Sequence, residues 1–92
     1  MLKPSYTIQF KKDLKKIKKS GNRDIEKLKA VIKTLIAEKQ LGISYNAHNL
    51  KGNFKERKEC HIAPDWLLIY KIDGKEKTII FERTGSHSNL FE

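Results

Sequence analysis

Cysteine is almost absent: Cys60 is the only one in 92 residues. A lone thiol cannot close an intramolecular disulfide, so the chain is not a stapled secreted scaffold. Long apolar runs are missing as well. The longest, "WLLIY", falls far short of the roughly 20 residues a bilayer-spanning helix needs. No basic-headed apolar segment opens the chain as a signal peptide would, and the expectation is a cytoplasmic protein with no membrane partner. No internal repeat or low-complexity tract appears, which argues against a repeat array. Acidic residues are scarce relative to basic ones, 11 against 20, and the resulting net charge of +9 favours a polyanionic partner: nucleic acid, an anionic surface or an acidic protein.

What is present is enough for one domain, residues 1–92, with one modest core. A chain this short leaves little room for deep cavities, so any site should be a shallow surface concavity. After Pro4, "SYTIQF" nearly alternates aromatic and β-branched residues and predicts a first strand. Phe10, Leu14 and Ile17 recur at helical spacing through "FKKDLKKIKKS", with lysines on the other faces and "SGN" as the stop. From Asn22 as N-cap, with Asp24 and Glu26 in the first turn, Ile25, Leu28, Ile32, Leu35 and Ile36 form the stripe of a second helix.

"QLGISYNAHNLKGNF" has glycines, asparagines and no sustained period, and reads as a loop of functional length. Three β-rich runs follow, at about 55–62, 65–72 and 77–83, with "APD" between the first two and "DG" at Asp73-Gly74 predicting a tight hairpin between the others. The expected fold is α+β: two helices on one face of a small, mostly antiparallel sheet, in the order β-α-α-β-β-β. Alternation puts Trp66, Leu68, Tyr70 and Ile72 on one side of their strand, Leu67, Ile69 and Lys71 on the other, and Ile79, Phe81 and Arg83 on a common side of the next.

Hairpin returns bring His61, Asp65, Trp66, Arg83 and His87 toward one edge of such a sheet. Histidine donates and accepts protons near neutral pH, so His61 and His87, with His48 of the preceding loop, in or beside one cleft suggest general acid–base work. Each has a plainer reading. Arg83 could pair with Glu82 or Glu59, Asp65 suits a turn, Trp66 suits a core, and the lysines of "KKDLKKIKKS" suit a solvated helix face or a phosphate-binding stripe. Cys60 and the histidines are zinc-ligand types, yet no local ligand spacing supports a metal site, and none is expected.

Three segments, "AHNLKG", "ECHIAPDWLLIYK" and "FERTGSHSNLF", together resemble the motifs of YafQ-type toxins in the RelE/ParE superfamily. The ordered set H-x-L-x-G, H-x-x-P-D-W and R-x-G-x-H-x-x-L-F is far more specific than any member of it. The resemblance implies a fold similar to small microbial ribonucleases, cleavage of messenger RNA in the decoding (A) site of the ribosome, and an acidic cognate antitoxin. It also implies active-site positions at His48, His61, Asp65, Arg83 and His87, with Trp66 and Phe91 as flanking aromatics and Lys51 and Lys58 as cationic contacts. Lys58 stands where the family commonly has arginine, so the charge survives without the planar fork.

RNA supplies its own nucleophile, the 2′-hydroxyl. A base, a cation on the phosphate and an acid for the departing 5′ oxygen then suffice, with no cofactor or metal. In this reading Arg83 is the cation, Gly85 lets the backbone turn back, and Leu90 and Phe91 pack the tail that carries His87. Two alternatives remain: a gyrase-poisoning toxin of the same superfamily, which would lack the histidine set, and a basic RNA-binding protein without chemistry.

Overall fold

The structure is a computed structural model and describes residues 1–21, 23–42, 45, 47–49 and 57–91, excepting the side chains of His48, Asn49 and Phe91. Five strands and three helices follow in the order β1 (Lys3–Tyr6), α1 (Ile8–Ser20), α2 (Ile25–Ile36), β2 (His48–Asn49), β3 (Lys58–Ala63), β4 (Trp66–Asp73), β5 (Thr78–Gly85) and α3 (His87–Phe91). The sheet order is β1-β5-β4-β3-β2. β1 runs parallel to β5, and the other three pairs are antiparallel.

The first strand is shorter than its alternation predicts because Thr7 caps a helix instead of extending the strand. Its Oγ1 accepts the Phe10 N–H at 2.9 Å and donates to the Glu82 carbonyl at 2.9 Å, starting α1 and tying it to β5. Pro4 is tolerated on this edge strand because its odd-numbered neighbours carry the ladder: Lys3 and Thr7 donate to the Lys77 and Phe81 carbonyls. Gly21 ends α1 at φ 68°, a left-handed cap that favours glycine. The expected cap Asn22 lies outside the described residues. Asp24 caps α2 instead, accepting the Glu26 N–H at 3.0 Å.

Phe10 and Ile17 of α1 and Leu28, Val31 and Leu35 of α2 bury against Cys60, Ile62, Trp66, Leu68, Tyr70, Ile79 and Phe81 on one sheet face. Burial pushes the Cys60 thiol and the Tyr70 phenol each up to about 12, so both stay protonated through the neutral range. The opposite face carries a separate small cluster of Leu67, Ile69 and Leu90, the last contributed by α3.

Two turns differ from expectation. β4 and β5 are joined by four residues, Gly74 to Lys77, and not by a two-residue hairpin. Asp73 Oδ1 accepts the N–H groups of Lys75 and Glu76, and Lys77 takes φ 55°. Within the stretch read as one loop from Gln40 to Phe54, His48 and Asn49 pair with Glu59 and Lys58 as β2.

Candidate active site

The site is built on the sheet face opposite the main core, the face that carries Leu67 and Ile69. Cross-strand partners share a face. His48 lies opposite Glu59, Glu59 opposite Ile69, and Ile69 opposite Arg83, which makes one row across four strands. In the neighbouring row His61 lies opposite Leu67, and Leu67 opposite Gly85. A register shift between Ile69 and Tyr70 produces this arrangement. It turns Arg83 away from the side of Phe81 and correctly delivers Thr84 to the core, so the expectation that Ile79, Phe81 and Arg83 share a side is wrong.

His87 reaches the same face through a device that the sequence reading took for a packed tail. Ser86 and Asn89 cap α3 reciprocally. Ser86 Oγ donates to Asn89 Oδ1 at 2.8 Å and accepts the Asn89 N–H at 3.2 Å, and the Leu90 N–H closes the turn on the Ser86 carbonyl at 3.1 Å. Gly85 approaches closely at φ 156°, and a Cβ there would sit 3.4 Å from both Asn89 Cβ and Leu90 Cδ2. Leu90 then anchors the helix on Leu67 and Ile69.

The result is a convergence of ionisable groups. His87 Nδ1 lies 3.7 Å from Asp65 Oδ1, and Nε2 lies 3.9 Å from Glu59 Oε1. The His87 backbone N–H also donates to Asp65 at 3.4 Å. The His61 ring is 6.0 Å from that of His87, centroid to centroid. Glu59 was not among the predicted residues, although its place two residues before His61 on an alternating strand was a usable signal. Glu59, His61 and His87 each present one ligand atom within 4.8 Å of the others, a carboxylate-and-imidazole set that suits a zinc- or copper-class ion. Local spacing could not reveal it, because the ligands come from β3 and α3.

Arg83 pairs with neither Glu82 nor Glu59. Its Nε and Nη2 grip Asp13 of α1 at 2.8 and 3.2 Å, and the carboxylate holds the guanidinium pKa above its ordinary value. Asp13 was also missed. It sits on the buried stripe of α1, three residues after Phe10 and four before Ile17.

Two candidates are displaced. Trp66 is 2% exposed, packs in the main core and donates Nε1–H to Thr84 Oγ1 at 2.9 Å, while the Arg23 guanidinium covers its ring at 5.4 Å. It cannot serve as an open stacking platform. Lys58 lies opposite Tyr70 on the helix-bearing face and lines a depression with Leu2 and Leu35. Arg57, not among the predicted residues, pairs with Glu82 and shares a depression of about 410 Å³ with Ile69, Arg83 and Leu90. Lys51 lies outside the described residues, as do the side chains of His48 and Phe91.

Residues 2–92 match the family described as the YafQ bacterial toxin of type II toxin–antitoxin systems. The chain belongs to that family. It is 40% identical over 87 residues to the mRNA interferase toxin YafQ of Escherichia coli (strain K12), covering 94% of this chain and 91% of that protein. Among solved structures, this YafQ-family chain is similar to the E. coli DinJ–YafQ toxin–antitoxin complex, with TM-score 0.90, 38% identity and coverage of 99% of this chain and 98% of that one. It is also similar to a metal-bound toxin from Helicobacter pylori, with TM-score 0.89, 42% identity and coverage of 99% and 100%. The α+β fold expected from the sequence is that of the family. Among the described residues, no helix is long and apolar enough to cross a membrane.

Proposed function

We propose that this chain is an endoribonuclease that cuts messenger RNA in the ribosomal A site by general acid–base catalysis. The observation that supports the reading most is the placement of His87, flanked by Asp65 and Glu59 and facing His61, whose row on the sheet adjoins that of Arg83.

In the proposed step the 2′-oxygen attacks phosphorus, the P–O2′ bond forms, and the P–O5′ bond breaks. A base takes the 2′ proton and an acid delivers one to the 5′ oxygen, leaving a cyclic phosphate and a free 5′-hydroxyl. His87, His61 and His48 supply the proton-transferring groups. Asp65 and Glu59 set the plane of the His87 ring. Arg83 meets the charge that builds on the phosphate oxygens, a role worth about 10²–10³-fold for a single donor. Arg57, carried by the same depression, is a second cation within the site.

Glu59, His61 and His87 also fit a transition-metal ion, and the similar H. pylori toxin is metal-bound. A bound ion would supply Lewis acidity. It would also occupy the imidazole lone pairs that the proton relay needs, so we infer that it competes with cleavage.

The proposed restraint on the enzyme is an acidic antitoxin, as DinJ accompanies the E. coli relative. A groove of about 620 Å³ between α1 and α2 offers a seat, with Tyr6, Phe10, Leu14, Ile32 and Ile36 inside and a net-basic rim of Lys11, Lys29 and Lys33 with Glu26, which pairs with Lys29. An amphipathic helix with acidic flanks matches that pattern.

The deciding experiment programs ribosomes with a defined message and maps the ends produced by wild type and by His87→Ala. Cleavage by the wild type alone, abolished by 2′-deoxy substitution at the cut nucleotide, is the expected result. Scission that survives either change would refute the reaction. Salt-sensitive binding with no scission at all would favour the RNA-binding alternative.

A further inference from the structure

Asp13 is an anomaly on α1. The helix carries six lysines in 13 residues, yet its one carboxylate is turned inward, 9% exposed. A buried carboxylate is costly unless its oxygens are fully engaged. Those of Asp13 are: Arg83 Nε and Nη2 donate at 2.8 and 3.2 Å, the Thr84 backbone N–H at 3.2 Å and Gln9 Nε2 at 3.3 Å. We propose that Asp13 is a positioning residue, fixing the Arg83 guanidinium so that its outer edge faces the scissile phosphate. The proposal rests on the reading of Arg83 as the phosphate-binding cation.

The geometry gives the reason. A guanidinium has five N–H donors in one plane. The side-on grip consumes the Nε–H and one Nη2–H, so one Nη2–H and both Nη1–H bonds remain, held in fixed directions away from the carboxylate. The Thr84 N–H bond to the same carboxylate locks the backbone that carries Arg83. Thr84 Oγ1 in turn donates to the Leu67 carbonyl at 2.9 Å and accepts from Trp66, so the anchor reaches through β4 into the core. Without the carboxylate, Arg83 is a long side chain with full rotamer freedom at the rim of a depression of about 590 Å³ that also holds Lys12, Lys16 and Arg23. A cation that must be fixed at the moment of reaction gains from such pre-payment of entropy.

The test is a double-mutant cycle on ribosome-dependent cleavage, run well below the melting temperature of every variant. Arg83→Ala should lower kcat about 10²–10³-fold. Asp13→Asn, which keeps the shape and an acceptor for Thr84, should lower kcat about 10–10²-fold with KM little changed, since it misplaces the cation without removing it. The two together should be no worse than Arg83→Ala alone.

If Arg83→Ala cleaves normally, the reading of Arg83 itself falls. If Arg83→Ala is impaired but the losses multiply in the double variant, or Asp13→Asn changes only thermal stability, Arg83 stands and the positioning role falls. A measurement free of substitutions guards against misfolding. The Arg83 Nε–H of the wild type should exchange with solvent at least tenfold more slowly than exposed arginine Nε–H groups, and equal rates would overturn the proposal.

Discussion

Leu90→Ala tests whether α3 delivers His87 by docking. The substitution removes three carbons from a side chain that is buried against Leu67 and Ile69. At about 0.8 kcal/mol per carbon, the docked form of α3 loses about 2 kcal/mol. With 1.4 kcal/mol per factor of ten, the ratio of docked to undocked helix falls about 30-fold. The cluster is separate from the main core, and a five-residue helix can detach locally without unfolding the domain. The thermal midpoint should therefore move little while cleavage falls by up to that factor. Amide exchange at Leu90, whose N–H is held by Ser86, reports docking directly. Protection of that amide lost altogether, so that α3 is mostly undocked, with cleavage unchanged would show that His87 does not depend on this anchor.

Four further outcomes follow from the same coordinates. Trp66→Phe removes the bond to Thr84 and should cost about 1–3 kcal/mol of stability while leaving kcat within a fewfold; a large kcat loss in a folded variant would restore a stacking role. Zinc or copper ions should inhibit cleavage reversibly, and chelation of the purified enzyme should leave activity intact or raise it; activity lost on chelation would mean that the ion serves the reaction. Lys29→Glu combined with Lys33→Glu should weaken the antitoxin's grip without impairing cleavage; unchanged affinity would move the partner away from the groove between the helices. Finally, the Cys60 thiol is held near 12 in the fold against an ordinary 9.0. Above pH 9 the unfolded chain therefore binds fewer protons than the folded one, and stability should fall as pH rises toward 12, by at most about 1.4 kcal/mol per pH unit. Urea midpoints at pH 9 and 11 should show a smaller drop in Cys60→Ala, and equal drops would contradict this account.

Much of the architecture was legible because it rests on periodicity. The Ile25–Ile36 stripe and the unbroken apolar run Trp66 through Tyr70, buried on both faces of the sheet, are burial patterns, and burial wrote them into the chain. What escaped depends on single hydrogen bonds or on distant partners. Thr7 looks like a strand residue until its hydroxyl is seen to cap Phe10. The shift beside Ile69 is one extra residue in a ladder and leaves no compositional mark, yet it decides which face Arg83 takes. α3 is too short to show a period. Asp13 hides in a lysine-rich run that reads as a solvated face, although an acid on the Phe10–Ile17 stripe is itself a sign of a buried partner. His61, Asp65 and His87, which the fold brings together, could be named from their motif, whereas Glu59 and Arg57 are set by distant partners; the side chain of His48 lies outside the described residues.

The parallel pairing of the first strand with the fifth sets the order in which the protein can be made. Thr7 finds its Glu82 partner 75 positions along the chain, and closing so large a span is entropically the dearest step in building the sheet. Arg83 and His87 arrive with that same late strand and the turn beyond it. A nascent chain therefore lacks both groups until its last strand and helix have been made, and under the proposed function it cannot cut a message before then.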